Sequence, residues 1–248
     1  MKLGFSTLSL FMKTFDEILQ IATDNGFEMI ELLTEGPYNS ENLLNNKKLL
    51  EPFHSYDIEV NIHGPTVDLN LASLNEGIRK ESVRQVKKTL DLGNEINANF
   101  ITIHPGQVGR REEHLRKIAI DFSKESIKDC VDYSENFKSK ISVENMPWRF
   151  SFLGNKVDEL KDISENTGSY ITIDLGHANT TPQKGEFLNI DKISYCHLND
   201  NHGEKDQHLA LGLGTLDLDL LKKVKNGIIE LNDFEQVLKS KKVIEELV

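Results

Sequence analysis

The segment Ile193–Gly214, ISYCHLNDNHGEKDQHLALGLG, sets a short apolar run against a loop crowded with imidazoles and carboxylates. Ile193 to Leu198 reads as a strand, and His197, Asp200, Asp206 and His208 stand at or just beyond its end. Side chains of those types at that density are metal-ligand chemistry. The same arrangement, an apolar β-type run closing on His, Asp or Glu, occurs upstream in Ile62-His63-Gly-Pro, Ile101-Thr-Ile-His104-Pro-Gly, Ser142-Val-Glu144-Asn and Ile173-Asp174-Leu-Gly-His177. It occurs downstream in Ile228-Ile-Glu230-Leu.

Working outward, the chain repeats this unit. Leu3 to Ser6 is a strand, and Thr14 caps a helix with Phe15, Ile18, Leu19 and Ala22 at helical spacing, closed by Asn25-Gly26. Further strands are predicted at Met29–Leu33, Ile58–Ile62, Phe100–Ile103, Ile141–Val143, Tyr170–Ile173 and Ile228–Ile229. Helical patterns cover Leu43–Phe53, Ser73–Asn97, Leu115–Val131, Val157–Ile163, Leu216–Val224 and Phe234–Leu247, while Thr180–Ile190 is weakly patterned. Strand–helix rounds of about 31 residues, with continuous apolar strands of the kind buried on both faces, predict an α/β fold closed as a (β/α)8 TIM barrel. It is read as a single domain over residues 1–248. A doubly wound sheet would want a Gly-rich turn after its first strand, and Phe5-Ser6-Thr7-Leu8 is not one.

Barrel geometry gathers the C-terminal ends of parallel strands on one face. His63, His104, Glu144, Asp174, His197 and Glu230 should therefore converge, although they are scattered along the sequence. Asp174 and His177 stand where a strand gives way to a loop, and Asp206 and His208 alternate in a loop. In an extended loop, alternate side chains point the same way, enough for two ligands to one ion. A solvated polar loop is the plainer alternative for Asp206 and His208. His54, His114 and His202 have no strand-end position. Trp148 and Arg149 suit stacking on a base or sugar and contact with a phosphate, or packing under a loop. Arg110 and Arg111 place charge at the same face or mark an exposed helix start.

The formal charge of −11 over 248 residues argues against binding nucleic acid through bulk positive charge. It leaves phosphate substrates open, because bound divalent cations can reverse the field at one face. Hydrophobic residues at 38% and charged residues at 28% describe an ordinary globular chain. Cys130 and Cys196 read as buried, reduced thiols. The start, Met-Lys-Leu-Gly-Phe-Ser, runs straight into a strand without a signal-peptide core, and no apolar run has membrane-spanning length, so a cytoplasmic location is expected.

His104-Pro-Gly, Glu144-Asn, Asp174-x-x-His177, His197-Leu-Asn-Asp200 and Asp206-x-His208-x-x-x-Gly-x-Gly214 together resemble the xylose-isomerase-like TIM barrels. Within them they are most similar to endonuclease IV, the AP endonuclease family 2 branch. The resemblance covers nearly the whole chain. It implies that His63, His104 and Glu144 hold one zinc ion, that Glu144, Asp174, His197 and Glu230 hold a second with Glu144 bridging, and that His177, Asp206 and His208 hold a third. It also implies a zinc-dependent hydrolase of DNA repair that cleaves on the 5′ side of an abasic site. Glu144 and Glu230 are then the candidate catalytic residues, and Trp148, Arg149 and Arg110 the candidate substrate contacts. The loop Thr34-Glu-Gly-Pro-Tyr-Asn lacks arginine, and Thr66 stands near the place of the family's intruding tyrosine; both depart from that branch. A sugar or sugar-phosphate isomerase or epimerase is the alternative. There Glu144, Asp174, His197 and Glu230 bind one manganese, cobalt or magnesium ion, and the two glutamates move a proton beside a carbonyl. The Glu31-Leu32 ending of strand two is similar to that branch. The isomerase reading leaves His63, His104, Asp206 and His208 without a necessary role.

Overall fold

Eight short apolar runs form the strands β1 (Lys2–Ser6), β2 (Met29–Leu33), β3 (Glu59–His63), β4 (Phe100–Ile103), β5 (Lys140–Glu144), β6 (Tyr170–Asp174), β7 (Ile193–Leu198) and β8 (Asn226–Ile229) in a computed structural model that describes residues 1–248. Each pairs in parallel with the next, and β8 returns to β1 from Lys2 against Asn226 to Phe5 against Ile229. The sheet is therefore a closed barrel without edges, the TIM-barrel architecture that the strand count predicts.

The helices are α1 (Phe15–Asp24), α2 (Ser40–Asn45), α3 (Glu76–Glu95), α4 (Glu113–Tyr133), α5 (Val157–Thr167), α6 (Leu175–Asn179) and α7 (Phe234–Leu247). Thr14 caps α1 reciprocally: its hydroxyl accepts from Glu17 N, and the Glu17 carboxylate accepts from Thr14 N at 2.9 Å. The single helix predicted over Leu43–Phe53 is instead the short α2 followed by 3-10 turns over Lys47–His54. Asn45 and Asn46 are poor helix formers, and Pro52 cannot donate an N–H to a continuing α-helix. The predicted Ser73–Asn97 helix starts later, at Glu76, because the Asn75 side chain accepts from Gly77 N and Ile78 N. Leu216–Val224 is a 3-10 turn over Leu218–Lys223 rather than an α-helix.

Between strands and helices lies one core cluster of 46 buried residues, which makes the outer layer continuous. The barrel interior is different in kind. It holds Met29, Tyr195 and Ile228 with Phe100 packed against them. Beside these runs a hydroxyl ladder, with Thr172 bonded to both Thr102 at 2.8 Å and Ser142 at 2.7 Å, and Ser142 bonded to Ser194 at 2.7 Å. Cys130 and Cys196 are buried free thiols, as expected. No helix is long and apolar enough to cross a membrane.

Candidate metal centre

Parallel register brings the strand ends level, pairing Leu33 with His63, Glu144 with Thr172, and Asp174 with His197. The Nε2 atoms of His63 and His104 lie 3.3 and 3.1 Å from Glu144 Oε2. The other Glu144 oxygen lies 3.0 Å from His197 Nδ1, which also faces Glu230 Oε2 at 3.2 Å and Asp174 Oδ2 at 3.8 Å. A third group joins His177 Nε2 and His208 Nε2 to Asp206 Oδ2 at 3.2 and 3.1 Å. The nine residues singled out as ligands thus fall into three sets, two of them sharing Glu144, with ligand atoms in each set within 4.8 Å of one another.

The local routes to the third set differ from the expected extended loops. Asp174 caps α6, its carboxylate accepting from His177 N at 2.6 Å, so one helical turn sets the Asp174–His177 spacing. Gly176 inside that turn packs on Asn199, where a Cβ would come 1.8 Å from the amide oxygen. His208 has φ 47°, a left-handed backbone for a non-glycine residue, so alternation along a strand-like loop is not what aims it. Asp200 contributes no ligand. Its fully buried carboxylate accepts instead from the backbone N–H groups of Asn201, Gly212, Gly214 and Leu216 at 2.8 to 3.0 Å. It anchors the loop that carries Asp206 and His208.

Hydrogen bonds behind the ligands fix their tautomers. His63, His177 and His208 donate from Nδ1 to the backbone carbonyls of Gly64, Asn145 and Glu230 at 2.9, 2.7 and 2.9 Å, which turns each Nε2 toward its cluster. Asn199 Nδ2 donates to Asp174 Oδ2 at 2.8 Å. Glu144 Oε2, Glu230 Oε2 and Asp206 Oδ1 are buried with no hydrogen-bond partner. No lysine or arginine pairs with any of these carboxylates. Buried anionic oxygens left without a well-aligned donor are costly, and a divalent cation is the partner this mixed imidazole–carboxylate set fits.

The electrostatics agree. Burial pushes the His63 imidazole down, but Glu144, Glu31 and Glu230 outweigh it and lift the group to about 9. His208 rises to about 10 against its own burial through Asp206 and Glu230. Burial likewise opposes protonation of His177 and His197, yet the surrounding carboxylates hold both well above the usual imidazole range. His104 is pushed down, because burial dominates over Glu144. Burial raises the Glu230 carboxyl, while Glu144 stays well below its usual value despite burial because His197, His104 and His63 face it. Protons on His63, His177, His197 and His208 occupy the electrostatic role that a cation would take.

A cavity of about 410 Å³ opens beside the ligands, reaching His104, His177 and Asp206 and floored by Leu71, Val86, Ile103 and Met146. Arg149 lines it and makes no ion pair, and the Trp148 side chain next to it is 45% exposed. Thr66 is also at its edge, tied to Glu35 through Thr66 N at 2.6 Å. Arg110 is exposed and lines neither this cleft nor the smaller cavity around Arg111 and Trp148. His54, His114 and His202 lie on the exposed surface, away from the ligand sets. One residue at the centre lay outside the expected ligand set. Glu31 is fully buried in β2 and contacts His197 Nε2 at 2.9 Å. Its signal in the sequence is a carboxylate in the middle of the apolar strand Met-Ile-Glu-Leu-Leu.

Comparison with known proteins gives the same outline. A family profile described as xylose isomerase-like TIM barrel matches residues 19–245. An uncharacterized protein of Methanocaldococcus jannaschii is 33% identical over 100% of this chain and 95% of its own length. A protein of Thermoplasma volcanium named "Probable endonuclease 4" is 27% identical over 64% of this chain and 60% of its own. Among solved structures, a D-tagatose 3-epimerase-like protein superposes with a TM-score of 0.87 at 28% identity, covering 100% of this chain and 97% of that one.

Proposed function

The chain belongs to the xylose isomerase-like TIM barrel family, and on that premise we propose that it is one barrel domain over residues 1–248 acting as a metal-dependent phosphodiesterase of the endonuclease IV type, with abasic-site DNA as the substrate. The observation that carries this reading is the third ligand set, His177, Asp206 and His208, two of whose members line the cleft that His104 of the first set also reaches. A single-ion isomerase has no use for it. His63, His104 and Glu144 would hold one zinc ion, Glu144, Asp174, His197 and Glu230 a second, and the third set another. Bound there, such ions supply Lewis acidity toward a phosphate ester and make water nucleophilic at neutral pH.

The chain's own groups do the rest. Glu144 at the end of β5 belongs to two of the sets, so its one carboxylate would serve both ions. Arg149, free of acidic partners, is placed to meet a phosphate, and the exposed Trp148 indole to stack on a base or sugar.

A second reading, sugar isomerisation or epimerisation with one manganese, cobalt or magnesium ion at Glu144, Asp174, His197 and Glu230, is favoured by the full-length likeness to the D-tagatose 3-epimerase-like protein. An incision assay decides between them. The zinc-loaded protein is expected to nick a duplex containing an abasic site and to leave ketohexoses unchanged. Sugar interconversion without incision would reverse the assignment.

A further inference from the structure

We propose that Glu31 is a positioning residue for the cation site of Glu144, Asp174, His197 and Glu230, gripping the His197 ring by Nε2 so that Nδ1 is committed to the cation. The inference rests on reading that cluster as a cation site. His63, His177 and His208 each donate Nδ1–H to a backbone carbonyl and turn Nε2 inward. His197 is reversed: Nδ1 faces the three carboxylates, and Nε2 meets Glu31 Oε2 at 2.9 Å rather than any carbonyl. A carboxylate only accepts, so Nε2 keeps a proton directed at Glu31, and Nδ1, which without a cation carries a proton toward Glu144, is the nitrogen that would give it up to offer a lone pair to the ion.

Glu31 is itself held from behind. Tyr195, fully buried across the barrel, donates its hydroxyl to the same Glu31 oxygen at 2.5 Å. Having spent its proton, Tyr195 can only accept from Thr102, which in turn is left to accept from Thr172 at 2.8 Å. The hydroxyl ladder inside the barrel is thereby polarised toward Glu31, and the ladder, the carboxylate and the imidazole form one oriented chain.

The test titrates metal-free protein with zinc, and separately with cobalt(II), in competition with a chelator. Glu31→Leu is expected to weaken one ion by about 10–100-fold, the usual cost of losing such a support, and to alter the cobalt absorption bands. The His177, Asp206 and His208 site should keep its affinity. Glu31→Gln retains an acceptor oxygen and should recover most of the loss, while Tyr195→Phe should shift the same ion in the same direction by less. Unchanged affinity and unchanged cobalt bands in Glu31→Leu would overturn the proposal. Equal weakening of all sites together with a lower melting temperature would also overturn it, showing a merely structural role. A wild-type protein that takes up no cation would overturn the reading of the cluster itself.

Discussion

Asp200→Asn separates a loop anchor from a metal ligand. In the wild type, Asp200 Oδ1 accepts from Asn201 N and Leu216 N, and Oδ2 from Gly212 N and Gly214 N. Asparagine keeps one oxygen, so whichever way the amide turns, two backbone N–H groups face an NH2 in place of an acceptor. Each buried donor left unpaired costs about 1–3 kcal/mol, which gives about 2–6 kcal/mol in all. In a chain of this size each kcal/mol moves the melting temperature by about 2–4 °C, so a fall of about 10 °C is expected. Differential scanning calorimetry on zinc-loaded protein reads the fall, and elemental analysis should show the ion at Asp206 and His208 lost with the loop geometry. A melting temperature within about 2 °C of wild type, well inside the expected loss, would refute the anchor. Zinc loss without any thermal change would make Asp200 a ligand after all.

Glu144→Gln removes the carboxylate shared by two ligand sets and should cut turnover by at least about a hundredfold, the upper scale of a supporting residue alone; steady-state hydrolysis of an abasic-site duplex measures it. Asp206→Ala combined with His208→Ala should abolish incision while the Glu144, Asp174, His197 and Glu230 site still binds its ion, and intact turnover in that double variant would end the three-ion mechanism. In chelated protein, His63 and His208 titrate at about 9 and about 10, above the unfolded value of about 6.5. Their protonated forms stabilise the fold fully below about pH 6.5, and that contribution is lost as pH rises through 9 to 10. Melting curves should therefore fall more steeply toward pH 10 for chelated than for zinc-loaded protein, and zinc affinity should weaken as pH drops because the ion displaces those protons.

The barrel was legible because its strands are short, mainly apolar runs that end on residues that do not belong in such runs. Met29–Leu33 and Phe100–Ile103 could be bounded from sequence to the residue, and His63, Glu144 and Asp174 each close the strand they terminate. Convergence at one rim then follows from parallel closure alone. What lay beyond reach is tertiary. Asp200 has the same chemistry as Asp206 and stands in the same loop; only the four backbone donors curled around it show that its charge is already satisfied. The left-handed turn at His208 goes with Glu230 O accepting from its ring, a contact between segments 22 residues apart. Glu31 enters the sequence reading only through the Glu31-Leu32 ending of strand two and its likeness to the isomerase branch; its role beside His197 appears only in the folded barrel, where β7 brings that ring to it. The helix predicted over Leu43–Phe53 failed for a local reason, the Asn45-Asn46 pair and Pro52, which periodicity does not weigh.

The most direct measurement is the number of zinc ions bound per polypeptide in the purified, zinc-loaded protein after exhaustive dialysis, read by plasma mass spectrometry. Three ligand sets at one rim predict three ions. A single ion would contradict the account and leave His177, Asp206 and His208 as a polar loop cluster.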